Sequence, residues 1–408
     1  MRSLSILRLV PIVAVLSVST AWAQSSSPQS APDPVDQAMV KLGPIGLNPS
    51  LGFHDIGRDT NVFNDAENPK SDFTATISPR LELVTHPGPL RFSWTTNSDY
   101  VYYQTYSSER GTNLGNTFKA DFDFGLFHPS ANANFINSKD RFNREIDARA
   151  RHQDRTYGAG LRVDLFEGVF ASAGVRQATY TFDPNAVFRG QNLATTLNRT
   201  DDGIDAGGGV ELTPLTAVQV TVSRERSRFD LTPERNSQTL RVTPTITFNP
   251  LAVLSGTASF GYRRFTTHTP DVPDYHGFVS SVTLVTTARE KHRFDTTFGR
   301  DLQYSYEEAV PEYIETGLTA GWNWQMTSAI DSRLYGGRSL LHYRSPSLET
   351  GKTDDTAHSY GFSLGWRLNP HLRAALNGDW RGRASERSFD RTYDSRRIYA
   401  TLTWGKVS

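Results

Sequence analysis

Cysteine is absent from the 408-residue chain. Its absence excludes disulfide scaffolds, zinc sites built on thiolates and cysteine nucleophiles. An excess of charge of either sign is also missing, because 43 basic residues are matched by 43 acidic ones. A protein that binds nucleic acid usually carries a basic surplus, so we expect no nucleic-acid partner.

Long apolar runs are scarce, and the longest lies at the start of the chain. Residues 1–23 read MRSLSILRLVPIVAVLSVSTAWA, with a basic start, an apolar stretch and a small-x-small end at Ala23. This pattern predicts an export signal cleaved after Ala23. The apolar run is shorter than the ~20 residues that a membrane-spanning helix needs, which argues against an uncleaved anchor. Residues 24–46, rich in Ser, Pro and Gln at their start, predict a flexible periplasmic linker.

Low hydrophobicity does not imply disorder in the rest of the chain. Hydrophobic residues make up only 37% of the sequence, but aromatic residues reach 11%, and a disordered chain of this polarity would contain few of them. Between residues 47 and 408 the apolar residues recur at every second position, which is the period of a β-strand with one apolar face. The clearest run places Phe118, Ala120, Phe122, Phe124 and Leu126 on one face.

Short and long connections alternate along this patterned region. Short breaks are predicted at residues 86–89, 128–130, 166–168, 213–216, 249–250, 288–291, 327–329 and 369–371. Longer polar loops are predicted at residues 64–71, 106–115, 143–154, 183–202, 230–237, 267–274, 307–312, 345–355 and 388–393. Outer-membrane barrels have short periplasmic turns and longer external loops in this order.

These connections predict an all-β protein in the outer membrane of a Gram-negative-type bacterium. Residues 47–408 would form a single transmembrane antiparallel up-and-down β-barrel of about 18 strands (16–18). A soluble periplasmic β-propeller or β-solenoid is the alternative architecture. It would need apolar residues on both strand faces and a repeated blade motif, and the sequence shows neither.

The polar strand faces carry charges of both signs, which suits a water-filled lumen. We predict eight pore-lining residues: Arg162, Asp164, Arg293, Asp295, Arg367, Arg373, Asp379 and Arg381. Two arrangements remain open. The charges could pair across neighbouring strands, or arginines could form a ladder opposite an acidic strip. In either case we expect no strong ion selectivity.

The loop Asp183–Asp202 is the longest in the chain and is a candidate constriction. A barrel of about 18 strands is too wide for side chains to fill, so an infolded loop would narrow it. Val187, Phe188 and Leu193 would pack on the barrel wall, and two basic residues would face the acidic part of the lining: Arg189 and Arg199. The alternative is a loop that stands outside as a cap.

Four arginines occupy the same alternate positions as the apolar residues of their strands, close to the predicted external rim: Arg224, Arg226, Arg264 and Arg300. On the outward face they would meet outer-membrane lipid, where guanidinium groups bind the phosphates of lipopolysaccharide. The alternative is that β-bulges turn these side chains into the lumen.

Two motifs suggest chemistry. Residues 361–365 match G-x-S-x-G, but Ser363 lies within an alternating strand and lacks the strand-to-helix turn of a hydrolase nucleophile. The loop HTPDVPDYH at residues 268–276 contains two His and two Asp without the spacing of a known metal motif. We therefore expect no enzymatic activity, no catalytic residue, no metal and no cofactor.

The segment Leu51–Phe63 reads LGFHDIGRDTNVF, with Asp59, Asn61 and Phe63 in the pattern D-x-N-x-aromatic and Arg58 just before it. It resembles the first strand of the "putative β-barrel porin 2" family, in which an aromatic residue is usual at the position of Arg58. The resemblance implies a barrel of about this length and, because members are often linked to exopolysaccharide or capsule systems, polysaccharide export components as partners.

The last predicted strand alternates and has Trp404 as its last aromatic residue, and residues 405–408 extend beyond it. The barrel assembly machinery recognises a terminal strand of this kind, so we expect it as a partner during biogenesis. The predicted function is a porin-like channel for passive passage of polar solutes or export of polysaccharide. The alternative is a barrel-anchored adhesin or receptor, or a structural outer-membrane protein without channel activity.

Overall fold

The computed structural model describes residues 34–249, 253–267, 274–344, 353–387 and 391–405. The predicted export signal, with its cleavage site after Ala23, lies outside these residues, as does much of the predicted linker. The loop at residues 268–276, for which we expect no metal, is described only from Asp274 onward.

The described residues contain eighteen long strands that form a barrel. In chain order they are Ile45–Asp59 (β1), Asp72–Thr85 (β2), Leu90–Tyr103 (β3), Gly111–Phe122 (β4), Phe127–Arg141 (β5), Arg149–Phe166 (β6), Val169–Phe182 (β7), Arg199–Thr213 (β8), Thr216–Phe229 (β9), Ser237–Phe248 (β10), Leu254–Thr267 (β11), Tyr275–Ala288 (β12), His292–Tyr304 (β13), Glu312–Gln325 (β14), Ile330–Arg344 (β15), Asp354–Asn369 (β16), Leu372–Ser385 (β17) and Tyr393–Gly405 (β18).

Each strand pairs antiparallel with its neighbours in sequence, and β1 pairs with β18 to close the ring. Large apolar side chains lie exposed on the outward face, among them Val175, Ile204 and Leu334, each more than half exposed. A soluble protein would bury such a surface, whereas a barrel in lipid turns it outward. The prediction of an outer-membrane type β-barrel of about 18 strands is therefore confirmed, and the propeller alternative is wrong.

Short turns and long loops alternate as predicted, but three predicted loops extend too far and one turn is misplaced. The loops predicted to end at residues 115, 154 and 202 stop where β4, β6 and β8 begin, at Gly111, Arg149 and Arg199. The break predicted at residues 128–130 lies inside β5, and the turn occupies residues 123–126. The predicted break contains Pro129, and proline is found in sheets mainly where no ladder hydrogen bond is needed from its nitrogen. Pairing between β4 and β5 begins only at Asp121 with Ser130, so Pro129 pairs with β6 alone and no ladder bond to β4 is lost.

The barrel begins two residues earlier than predicted, at Ile45. Residues Val40–Leu42, which we assigned to the linker, form a short strand that pairs antiparallel with Ile45–Leu47 at the start of β1. The end of the predicted linker is thus attached to the barrel by a tight hairpin, in which Gly43 adopts a positive φ of 61°.

Helical structure in the described residues is confined to loops. One short helix, α1, spans Leu193–Leu197 between β7 and β8, and single 3₁₀ turns occupy Ser107–Glu109 and Pro233–Arg235. None of these helices has the length or the apolar content that crossing a membrane requires.

Two hairpins leave the regular barrel wall at their long-loop ends. The ladder between β4 and β5 stops at Leu114 with Asn137, while β5 and β6 stay paired up to Arg141 with Arg149. Likewise β12 and β13 pair only as far as Ser280 with Arg300, whereas β13 and β14 continue to Tyr304 with Glu312. Six strands separate these hairpins around one side of the ring and eight around the other.

Candidate functional site

Ion pairs lie flat on the inner wall and connect strands that are two apart. Arg333 of β15 donates to Asp295 of β13 at 2.8 Å, and Arg373 of β17 donates to Asp331 of β15 at 3.0 Å. A glycine of the intervening strand lies beneath the first pair: a Cβ atom on Gly321 would come within 2.6 Å of Asp295 Oδ2. The close approach of these side chains to the wall therefore requires glycine in the strand between them.

The glycines of the G-x-S-x-G motif have the same role. A Cβ atom on Gly361 would overlap the ring of Tyr335, and one on Gly365 would overlap the Arg373 guanidinium. Ser363 lies between them within β16, on the inner face and without a strand-to-helix turn. The motif is thus explained by side-chain packing in the lumen.

The structure places all eight predicted pore-lining residues on the inner strand faces. Arg162 donates to Asp164 at 2.7 Å and to Glu211 at 2.6 Å. Asp379 accepts hydrogen bonds from Arg397 at 2.6 Å and from the Tyr335 hydroxyl at 2.7 Å. The remaining three are Arg293, Arg367 and Arg381. Each is next to an exposed, outward-facing residue in its strand and therefore faces inward, and Arg381 lies beside the Asp59 carboxylate.

Charges of opposite sign are therefore neighbours on the inner wall. This is the arrangement in which charges pair across strands, and not the one in which a ladder of arginines faces a strip of acidic residues. Whether these residues govern passage of a solute stays a prediction. Sequence reasoning could not find partners such as Asp295 for Arg333 or Asp331 for Arg373, because these pairs join strand residues that are 38 and 42 positions apart in the chain.

A polar groove of about 110 Å³ opens on the inner wall formed by β7 to β11. Four of its charged groups or their neighbours form ion pairs, Arg176 with Glu225 and Arg241 with Asp301 at 3.0 Å, and Asp205 lines the groove beside them. The rest of its inner lining consists mainly of hydroxyl and amide groups: Gln219, Thr221, Ser223, Thr239, Thr243, Thr245 and Ser259. Such a surface offers many neutral hydrogen-bonding groups to a solute in the lumen.

The two inward hairpins meet across the lumen. Glu145, in the loop between β5 and β6, accepts hydrogen bonds from the Ser305 hydroxyl at 2.6 Å and from the backbone N–H of Tyr306 at 3.1 Å. Arg144 forms an ion pair with Glu315 of β14 at 2.9 Å. We call these contacts between residues 142–148 and 305–315 the hairpin junction. It spans the long-loop end of the lumen.

The strand β17 and its loop hold both hairpins. The fully buried Arg383 donates to the carbonyl oxygens of Arg144 and Glu145 at 3.2 and 3.1 Å. Arg387 and Arg391 form ion pairs with Glu307 at 2.6 and 3.0 Å. The hairpin junction is therefore fastened by buried, charge-assisted hydrogen bonds, and opening it requires several of them to break together.

Burial raises the pKa of Glu145 to about 7, against the opposing charge of Arg391 and the hydrogen bond from Ser305. Burial also raises the pKa of Asp147, against the charges of Arg383 and Arg189. Both carboxyl groups lie in the loop between β5 and β6, so the hairpin junction contains acids that titrate above their usual range.

The loop predicted as the constriction packs on the hairpin junction and on the adjoining wall residues Ala150 and Phe182. Phe188 and Leu193 are buried against Phe142, Ile146 and Tyr306, which belong to the hairpin loops. Val187, which we expected to pack as well, is 61% exposed. We predicted a loop at residues 143–154 but did not predict that it is buried, although Phe142 and Ile146 within a short polar segment were a signal of burial.

The two arginines of the predicted constriction differ in position. Arg189 lies close enough to the hairpin junction for its charge to favour the ionised form of Asp147. Arg199 is the first residue of β8, where it pairs with Asp201 at 3.2 Å and covers the ring of Tyr180 at 4.2 Å. Arg199 is therefore a wall residue.

The rim arginines lie on the outward face, as their alternate positions predict. Arg224, Arg226 and Arg264 are exposed, and Arg300 is half-buried and donates to the Thr316 hydroxyl at 2.7 Å. The alternative, that bulges turn them inward, is wrong.

Among the residues that the structure describes, no group of three or more His, Asp or Glu side chains is arranged to hold a metal ion.

A closed eighteen-strand barrel with an apolar outer face and a charged inner wall defines a porin-like protein of the outer membrane. The family model described as "Putative beta-barrel porin 2" matches residues 33–405, and the chain belongs to this family. No curated protein matches the sequence.

Several solved outer-membrane structures are similar in fold. One is OpdK from Pseudomonas aeruginosa, 10% identical, with 88% of this chain and 98% of that chain covered and a TM-score of 0.45. A BenF-like porin from Pseudomonas fluorescens Pf-5 has the same identity and coverage and a TM-score of 0.48. OccK2 (OpdF) from Pseudomonas aeruginosa in complex with glucuronate is 12% identical, with 88% and 96% covered and a TM-score of 0.46.

Proposed function

We propose that this chain is a passive channel that lets small polar solutes cross the outer membrane and that is narrowed by the hairpin junction. The observation that carries the proposal is the lumen itself: paired charges and a hydroxyl-lined groove lie below two hairpins that meet across its long-loop end. Passage needs no cofactor and no catalytic group. The lining supports neutral or zwitterionic solutes more than strongly charged ones, because most of the charged side chains described on the inner wall pair with a charge of opposite sign.

Conductance in a planar bilayer tests the proposal directly. Purified mature protein should give discrete current steps, and liposomes containing it should swell in small neutral sugars but not in large ones. The absence of current from correctly folded protein, judged by heat-modifiable migration on a gel, would support the alternative of a barrel-anchored adhesin, receptor or structural protein.

Polysaccharide export is the other use of such a barrel that the sequence suggests. A polymer would have to separate the hairpin junction, whose groups are buried and paired. Export therefore predicts that the current stays small until a polysaccharide export component is added. If the protein alone already gives the conductance of an open channel, polysaccharide export is contradicted.

A further inference from the structure

A basic surface lies on the outside of the barrel, away from the lumen. It consists of four arginines and one glutamine at the long-loop ends of β9, β10 and β11, which we call the outer arginine patch: Arg224, Arg226, Arg228, Arg264 and Gln238. The strand register places Arg224 beside Leu240 and Leu240 beside Arg264. Two guanidinium groups thus lie on either side of one apolar side chain, roughly 10 Å apart at their Cα atoms.

Arginines outnumber carboxylates on the strand faces that carry the outer arginine patch, and Asp230 and Glu234 lie beyond it in the loop between β9 and β10. The described residues on the outward face of β8 to β11 include one carboxylate, Asp202, which pairs with Arg228. Arg224 donates to the neutral amide oxygen of Gln238 at 2.9 Å. Exposed like charges at this spacing repel each other, so an anion bound among them would lower their energy.

The neighbouring residues place the patch at the lipid interface. Directly below it, two residues towards the short-turn ends, runs the row Val222, Val242, Tyr262 and Phe278, each 41–55% exposed on the same face. Apolar side chains with tyrosine at their border mark the edge of the hydrocarbon layer. Because long loops are external in outer-membrane barrels, this edge faces the outer leaflet.

We infer that the outer arginine patch binds the phosphate groups of lipopolysaccharide. Guanidinium groups bind phosphate oxygens bidentately, and their charge costs little at the interface. Leu240, between Arg224 and Arg264, contacts the apolar part of the same lipid. The inference does not depend on whether the barrel conducts.

The experiment compares two triple variants of the mature protein in detergent. R224Q/R226Q/R264Q removes three of the four arginines of the patch and leaves Arg228, which pairs with Asp202. R155Q/R338Q/R396Q removes three other exposed arginines on the outward faces of β6, β15 and β18, so it makes the same change in net charge without a cluster. Binding is measured by titration with purified lipopolysaccharide, with dephosphorylated lipopolysaccharide and with inorganic phosphate. Gel migration checks that each variant folds.

The patch variant should bind lipopolysaccharide roughly tenfold more weakly, because three exposed charge-assisted contacts with phosphate are lost. The control variant should bind within about twofold of the original chain, and the dephosphorylated lipid should bind weakly to all three. An equal loss in the control, or undiminished binding of the dephosphorylated lipid, would overturn the inference. Displacement of the lipid by an equal concentration of inorganic phosphate would assign the patch to free phosphate and would also overturn it.

Discussion

Single glycines decide how closely charged side chains approach the barrel wall. A methyl group on Gly365 would overlap the Arg373 guanidinium, whereas one on Gly203, beneath the pair Arg176–Glu225, would meet its nearest atom at 3.8 Å. We expect Gly365→Ala to destabilise the barrel by about 1–2 kcal/mol through overpacking, and Gly203→Ala by less than about 0.5 kcal/mol. Urea unfolding in lipid vesicles measures both, and equal losses would contradict this explanation of the glycines.

One buried carboxyl group makes the hairpin junction sensitive to pH. The pKa of Glu145 is raised by burial from 4.5 to about 7, so the folded state binds more protons than the unfolded state between these values. The stability that this group contributes is complete below pH 4.5 and is lost as the pH rises through 7, by up to about 3 kcal/mol. Asp147, whose pKa is also raised, acts in the same direction.

We therefore expect longer and more frequent openings in bilayer recordings at pH 8 than at pH 5. Glu145→Gln keeps a neutral hydrogen-bonding side chain at this position, so it should stay mostly closed at both values. A pH dependence that persists unchanged in Glu145→Gln would show that other groups control opening.

At the scale of elements, we propose that the two hairpins narrow the lumen more than the longest loop does. Replacing residues 143–147 with two glycines removes Glu145 and Arg144 from the hairpin junction, so single-channel conductance should rise. Deleting residues 185–196 should raise it less, because that loop covers the junction without crossing the lumen. The matched control replaces the turn Ser107–Glu109, which contains no buried residue, and should leave conductance unchanged. A larger effect from the 185–196 deletion would restore the longest loop as the constriction.

At the scale of the whole molecule, the paired lining should make the channel nearly unselective between small cations and anions. Asp331→Asn leaves Arg373 without its carboxylate partner inside the lumen and should shift the reversal potential towards anion preference. Asp202→Asn removes the same charge from the outward face and should have little effect. Reversal potentials in a salt gradient compare the two, and equal shifts would mean that the lining charges do not control passage.

The sequence by itself determined the barrel. Strand alternation and the order of short and long connections are local properties, because period two follows from backbone geometry and turn length is read along the chain. They predicted the strand number, the inward face of Arg162 and Asp379, and the outward face of Arg224. The error at Pro129 arose because a proline near a strand end resembles a turn when its pairing is unknown.

Only the tertiary structure decided which loop enters the lumen and which charges pair. Glu145 meets Ser305 and Arg383 meets Glu145 across more than 150 residues of chain, and such contacts have no local signature. The roles of Gly361 and Gly365 depend on side chains from neighbouring strands. The G-x-S-x-G motif that they form therefore cannot be interpreted from the sequence alone. Closure of the sheet into a barrel brings these residues together. The alternating sequence specifies the strands, but it does not specify which side chains contact each other inside the barrel.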